Sequence, residues 1–190
     1  MSDGIAGRPM RRAEREIVDR AALDDILASA RILFLALRSD PAPYVVPVCF
    51  GLEKDTLYVH SALVGTKIEL LRRHSVVGFS ASTDMNVIAG GSACDFTAAA
   101  RSVVGTGRAR IVENQEERRR GLDSIMRHYA DGFGKAPYRP DTLAHTCVIA
   151  VHIDTLRGKS IGGTTPDADK KSTRSMREDS TPCLFSWDWT

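Results

Sequence analysis

Apolar positions recur along this chain with two spacings. Ala22, Leu23, Ile26 and Leu27 follow Asp19 at helical intervals. Asp19 therefore reads as an N-cap, Val18 as the hydrophobic staple beside it, and the helix ends near Ala30. Residues 114–129 repeat the pattern, with Leu122, Ile125 and Met126 turned inward and the charged run 116–120 on a solvated face. Ile68, Leu70 and Leu71 mark a shorter helix over 67–73. Between the helices lie runs rich in β-branched and aromatic residues: 32–37, 44–50, 56–60, 76–81, 100–112 and 146–156. Each reads as a strand. Polar turns at Ser39-Asp40-Pro41 and Glu53-Lys54-Asp55 join the first three.

Three details qualify this outline. Pro47 falls inside a predicted strand, where it cannot donate to a ladder. It must mark an edge, a bulge or a gap facing a ligand. Gly105 and Gly107 permit a bend or bulge in the long strand 100–112. Residues 83–98 read as a long loop, and a loop of that length in a small domain carries function more often than not. A Gly/Pro loop follows at 131–140.

The order is helix, three strands, helix, two strands, helix, strand, without βαβ alternation. That predicts a mainly β or α+β domain, an antiparallel barrel with peripheral helices. Three regions follow: a polar, basic arm at 1–12, the folded domain at 13–157, and a polar extension at 158–190. The extension ends in Phe185, Trp187 and Trp189, which are expected to dock on the pocket or on a partner subunit rather than sit in water.

Composition narrows the function classes. The chain has 190 residues with 43% hydrophobic content, enough for one domain with a core. Lys plus Arg exceeds Asp plus Glu by 26 to 24, too even a balance for a nucleic-acid binder. No apolar run reaches membrane-spanning length, and the N-terminus has no apolar signal core. The four cysteines, Cys49, Cys94, Cys147 and Cys183, lie far apart and form no CxxC pair. They read as reduced thiols of a cytoplasmic protein, not as a zinc or disulfide framework.

The chemistry concentrates at residues 56–67, TLYVHSALVGTK. A strand runs into His60 and Ser61, a glycine follows at 65, and Thr66 and Lys67 open a helix. Backbone amides at a helix start attract an anion, hydroxyls can donate to it, and an ammonium supplies charge. Arg101 and Ser102, on a strand expected to neighbour this one, could complete a phosphate cradle. A plain alternative is that Ser61 and Thr66 cap the helix and Lys67 is solvated. The residues alone leave both readings open. His60 is likewise a structural histidine or part of the anion site. No HExxH, GxSxG, Walker A or GxGxxG pattern is present, so no metal site, protein nucleophile or Rossmann site is supported, and the catalytic residues are unknown. Any redox or transfer chemistry would then fall to a cofactor.

Four stretches taken together, RRAEREI, PYVVPVCFG, LYVHSALVGTKIELLRR and RSVVGTGRARIVE, resemble the pyridoxamine 5′-phosphate oxidase-like, FMN-binding split-barrel superfamily. The similarity is greatest to its nitroimidazole-resistance-related (NimA-type) branch. The resemblance implies a six-stranded antiparallel split β-barrel that dimerises with FMN at the interface. It implies that backbone groups near Pro47, Val48 and Cys49 face the polar edge of the flavin. It implies that His60, Ser61, Thr66 and Lys67 hold the ribityl phosphate, with Arg101 and Ser102 adding contacts. Many relatives carry a polar residue where Cys49 stands, and a tryptophan where Phe96 stands.

The function so implied is a flavin-dependent oxidoreductase acting on a small organic acceptor, a nitroaromatic among the candidates, with NAD(P)H as a possible donor. A non-catalytic flavin-binding protein, or a split barrel that uses F420 or haem, are the alternatives. The partners expected are a second copy of the chain and a small-molecule substrate, with no nucleic acid and no membrane.

Overall fold

A computed structural model describes residues 8–130 and 137–162. Eight strands form one antiparallel sheet: β1 (Glu16–Ile17), β2 (Leu33–Leu37), β3 (Tyr44–Val48), β4 (Phe50–Glu53), β5 (Thr56–Ala62), β6 (Val76–Ile88), β7 (Thr97–Ile111) and β8 (Thr146–Ile161). Four α-helices accompany them: α1 (Arg20–Ser29), α2 (Thr66–Arg73), α3 (Gln115–Tyr129) and α4 (Pro140–Ala144). The α+β class read from the sequence is correct, but the strand count is eight rather than six. One extra strand is the two-residue β1, which pairs with β8 through Glu16–Lys159 and Ile17–Gly158. It is too short to show a period. The other arises because residues 44–50 divide at Cys49 into β3 and β4.

That division shapes the molecule. The hydrogen-bonded order is β3-β2-β6-β7-β8-β5-β4, with β1 on β8. Its two end strands, β3 and β4, are consecutive in the chain and separated only by Cys49. The sheet must therefore curl until its ends meet at that residue. No ladder joins β3 to β4 among the described residues. Pro47 sits on β3, whose only partner is β2, so its missing N–H lies on an edge strand and interrupts nothing.

Alternation supplies the core. Leu33, Leu35 and Leu37 of β2 point inward, joined by Val46, Val48, Phe50, Leu57, Val59, Val77, Phe79, Val103, Ile149 and Val151. Leu23, Ile26 and Leu27 of α1 and Ile68 and Leu71 of α2 pack on the same cluster. Each such side chain contributes about 1.5–3 kcal/mol on burial. A second, smaller cluster lies on the outward face of β5 and β8. There Leu122 and Ile125 of α3 cover Tyr58, Val112, Val148 and Ala150. Gly51 lets α3 approach: a Cβ there would lie 2.4 Å from the Ser124 backbone.

Several helix details match the sequence pattern and some do not. Asp19 accepts a hydrogen bond from the Ala22 amide at 2.8 Å, and Asn114 from that of Glu117 at 2.9 Å. Val18, however, is 80% exposed and staples nothing. Met126 faces solvent, and His128 takes an inward position instead, its Nε2 donating to the Ala30 carbonyl at 2.7 Å. The charged run is not wholly solvated, because Glu117 pairs with Arg110 and accepts from the Tyr58 hydroxyl.

Half of the stretch expected as a loop at 83–98 is strand. β6 continues to Ile88 and β7 begins at Thr97, paired through Asn86–Ala99, Val87–Ala98 and Ile88–Thr97. A register shift after Thr83, with Asp84 at φ 57°, breaks the alternation that would have revealed the strand. The bend or bulge expected at Gly105 and Gly107 has its counterpart on the partner strand: the β7–β8 register shifts between Thr106 and Gly107, and the extra residue is Asp154 of β8. β8 runs to Ile161, past the expected end at Leu156. Residues 1–7, most of the expected basic arm, and the aromatic tail lie outside the described residues.

Candidate functional site

The site begins where β5 ends. Alternation along β5 turns Tyr58 and His60 to the outward face and Val59 and Ser61 to the inward one. His60 pairs with Val148 and Ser61 with Cys147 on β8. The chain then turns through Leu63 and Val64, both exposed, to Gly65 at φ 120°. A Cβ at Gly65 would meet nothing within 4 Å, so glycine is required there by backbone conformation rather than by space.

Gly65 is the N-cap residue of α2, and no side chain caps the helix. Thr66 is already the first helical residue, so neither it nor Ser61 plays the capping role that the plain alternative gave them. The first intrahelical bond is that from the Glu69 amide to the Gly65 carbonyl. The amides before it have no protein acceptor among the described residues, and they present the positive end of the helix dipole.

Lys67 follows on this first turn. Burial pushes its ammonium below the ordinary lysine range, partly offset by the Cys147 thiol nearby. His60 is held below its ordinary value by burial first and by the Lys67 charge second. His60 is exposed at the end of its strand, and the surrounding protein still desolvates its ring in part. Among the described residues, no carboxylate pairs with Lys67, and neither Lys67 nor His60 has a hydrogen-bond partner. The result is an electropositive point without a counter-charge among the described residues. An anion placed there would relieve both shifts.

The flavin-edge residues meet this point through β4. Phe50 pairs with Val59, and one further step along that register sets Cys49 opposite His60. Cys49 is thus the one of the three expected flavin-edge residues that the register sets nearest His60, while Pro47 and Val48 lead away from it along β3. Pro47 is exposed on the outward face, Val48 is buried in the core, and Cys49 is half-buried. Only backbone groups of Val48 can therefore face a ligand.

Arg101 and Ser102 do not join the cluster. The strand expected to neighbour β5 is in fact separated from it: β8 lies between β5 and β7. Arg101 is 11% exposed and salt-bridged to Asp25 of α1 at 2.7 Å and to Asp84 at the β6 register shift. Ser102, adjacent on the strand, points to the opposite face. It pairs with Ser82 on β6, one step from the row Val48–Leu33–Ala81–Val103. Ser102 therefore stands level with Cys49, three strands across, about 14 Å at ~4.8 Å per strand.

Between these two points the outward face of β3, β2, β6 and β7 is bare. Phe34, Val45 and Val104 are each about half exposed on it, with Pro47 among them. α3 covers only the other part of the outward face. Sequence reasoning missed Phe34 and Val104. Their signal was an apolar residue on the polar beat of an alternating strand.

Tyr129 and Arg31 were missed as well. The Tyr129 hydroxyl donates to the Arg31 carbonyl at 2.8 Å, and the Arg31 guanidinium lies 5.3 Å over the Tyr129 ring. Among the described residues there is no disulfide, no cluster of metal-binding side chains and no helix long and apolar enough to cross a membrane.

Comparison with known proteins places this geometry. The family model for pyridoxamine 5′-phosphate oxidase matches residues 19–160. The fold is similar to that of a candidate 5-nitroimidazole antibiotic resistance protein from Bacteroides thetaiotaomicron. That match has 32% identity and a TM-score of 0.68, and covers 76% of this chain and 86% of that one. A flavocytochrome from Azotobacter vinelandii matches at 20% identity and a TM-score of 0.71, covering 92% of this chain and 85% of the other. An FAD- and haem-binding protein from Mycobacterium smegmatis matches at 22% identity and a TM-score of 0.70, covering 78% and 74%. These two share the fold. No curated protein matches the chain. With residues 19–160 matched, the chain belongs to the pyridoxamine 5′-phosphate oxidase family, on the branch of the nitroimidazole-resistance-related proteins.

Proposed function

We propose that this protein binds FMN and is a flavin-dependent oxidoreductase acting on a small organic acceptor, nitroaromatics included. The observation that carries the reading is Lys67: a desolvated ammonium with no counter-charge among the described residues, beside His60 at an uncapped helix start. The chemistry of that donor set fits a phosphate. Lys67 would supply charge, the first amides of α2 and the hydroxyls of Thr66 and Ser61 would supply hydrogen bonds, and His60 would stand beside it. The backbone of Pro47, Val48 and Cys49 would face the polar edge of the ring system.

The bare outward face supports a dimer. Phe34, Val45 and Val104 are exposed apolar side chains on this face, with Ser80 between Phe34 and Val104, and a flavin with a second copy of the chain would cover them. Ser102 would face the flavin across the sheet. Arg101 would act on the same surface indirectly, by fixing β7 through Asp25 and Asp84. When bound, the flavin supplies the hydride or electron transfer, and the protein supplies binding, orientation and exclusion of water.

The test is the absorbance spectrum of the purified protein, with mass identification of what it releases on denaturation. Flavin bands that bleach with NAD(P)H and recover with a nitroaromatic support the reading. A protein that releases no flavin, and has no affinity for added FMN, overturns it. Flavin bands that no nicotinamide bleaches favour a flavin-binding protein without catalysis.

A further inference from the structure

The β6–β7 ladder outgrows the sheet that supports it. β2 stops pairing with β6 at Leu33–Ala81, and β8 stops pairing with β7 at Ile161–Ala100. Beyond those points, from Thr83 to Ile88 and from Thr97 to Ala99, the two strands pair only with each other. The result is a two-stranded ribbon with both edges unpaired among the described residues. Apolar side chains stud it: Met85 is 77% exposed, Val87 66% and Phe96 53%, with Ile88 beside them. A lone ribbon is marginal in water, free edges invite another strand, and a cluster of exposed apolar groups marks a contact surface.

The chain's own exit points to what covers it. β8 ends at the foot of this ribbon, and Gly162 packs against it. A Cβ on Gly162 would lie 2.8 Å from the Ala99 Cα and 3.2 Å from the Ile88 Cδ1. The described chain therefore ends beside Ile88, at Gly162. The sequence closes with Phe185, Trp187 and Trp189 at every second position, separated by Ser186 and Asp188. That is the period of a strand with one aromatic face. About 22 residues of sequence separate Gly162 from Phe185, and a random coil of that length spans about 26 Å on average. The paired stretch of the ribbon, from Thr97 to Arg101 on β7, is about 14 Å long at ~3.4 Å per residue. The closing segment is thus held within reach of the surface at high effective concentration.

We propose that residues 185–189 of the same chain dock on the ribbon, setting Phe185, Trp187 and Trp189 against Met85, Val87, Ile88 and Phe96. The inference does not depend on the flavin reading.

The chain carries its own reporter, because Trp187 and Trp189 are its only tryptophans. Their emission maximum in the native full-length protein is expected to lie to the blue of that of the denatured chain. A Met85→Asp, Val87→Asp, Phe96→Asp variant changes only exposed positions, and circular dichroism verifies that it folds. In it the emission should move to the denatured value, and acrylamide quenching should rise several-fold. As a second measurement, a chain ending at Pro182 should bind a synthetic peptide of residues 183–190, and that binding should fail on the triple variant's background. The emission maximum, rather than the intensity, is read, with and without flavin. A native emission already at the denatured value overturns the proposal. So does an unchanged blue-shifted emission in a folded triple variant. So does an emission that moves only when dilution splits an oligomer, since a second copy would then be the cover.

Discussion

The hydroxyl of Tyr129 accepts a hydrogen bond from the Phe50 amide at 3.1 Å. The same hydroxyl donates to the Arg31 carbonyl, so the last turn of α3 is tied both to β4 and to the entry of β2. The tie falls one residue after Cys49, where the two ends of the sheet meet. Burial pushes the Tyr129 phenol up to about 12, so it stays a neutral hydroxyl able to do both jobs. Tyr129→Phe leaves the Phe50 amide and the Arg31 carbonyl without partners. The expected loss is about 1–3 kcal/mol, read as a lower urea midpoint at unchanged slope. If the backbone from Pro47 to Cys49 faces the flavin, FMN affinity falls as well. An unchanged midpoint would show that water replaces the hydroxyl without cost.

Lys67 separates binding from stability because the two effects have opposite sign. Its ammonium is desolvated and lowered in pKa, so at neutral pH the folded apoprotein carries a charge it would rather lose. Lys67→Met removes that burden and keeps the aliphatic stem, so the flavin-free protein should melt no lower than the parent. FMN affinity should fall by about 1.5–3 kcal/mol, roughly ten- to a hundredfold in Kd, through loss of a charge-assisted contact. Paired measurements of apoprotein Tm and flavin Kd decide. An unchanged Kd would make Lys67 a bystander.

Much of this was legible in the sequence, and the exceptions have physical reasons. Asp19 and Asn114 announced α1 and α3 because a capping carboxylate or amide leaves a local signature. The segment from His60 to Lys67 was legible as a strand end followed by a helix start, because both signals are local in sequence. Cys49 as a break was hidden, since nothing in YVVPVCF distinguishes one long strand from two that separate to opposite ends of a sheet. Residues 83–88 were hidden because the shift at Asp84 destroys their alternation. Arg101 was legible as a conspicuous charge but not in its partners. Asp25 and Asp84 lie 76 and 17 residues away, and only the tertiary fold brings them together.

The pH dependence follows from His60. Its folded value lies below the ordinary 6.5, through burial and through Lys67. The unfolded chain therefore binds the proton more readily than the apoprotein does. The stability contribution is present above about pH 6.5 and is lost as pH falls from there through the folded value. Bound phosphate reverses the shift, so FMN binding takes up a proton. Affinity should rise as pH falls towards the apoprotein's lowered value. Protonation of the phosphate itself, with a second pKa of about 6, works the other way. His60→Gln isolates the imidazole: the variant should lose the rise in affinity while keeping the phosphate's own titration. Calorimetry in two buffers of different ionisation enthalpy checks the proton count, and no difference between the parent and the variant would remove His60 from the site.

Arg101 is held by its two carboxylates at a half-buried position, and that geometry makes its substitution informative. Arg101→Gln leaves Asp25 and Asp84 near each other without a cation between them, and it loosens α1 from the base of the β6–β7 ribbon. The expected cost is about 1–3 kcal/mol of stability, less than a fully buried pair would lose because both carboxylates remain partly in water. Asp84→Asn should show a smaller loss in the same direction, since Asp25 still pairs with the guanidinium. If Arg101 acts only by positioning β7, FMN affinity at a temperature where both forms are folded changes little, and the Asp25→Asn and Arg101→Gln losses are strongly non-additive. A tenfold weakening of FMN in Arg101→Gln, absent in Asp25→Asn, would instead mean that the guanidinium reaches a flavin directly. Within one protomer Arg101 stands apart from the His60–Lys67 cluster, so that flavin would have to be shared with a second copy.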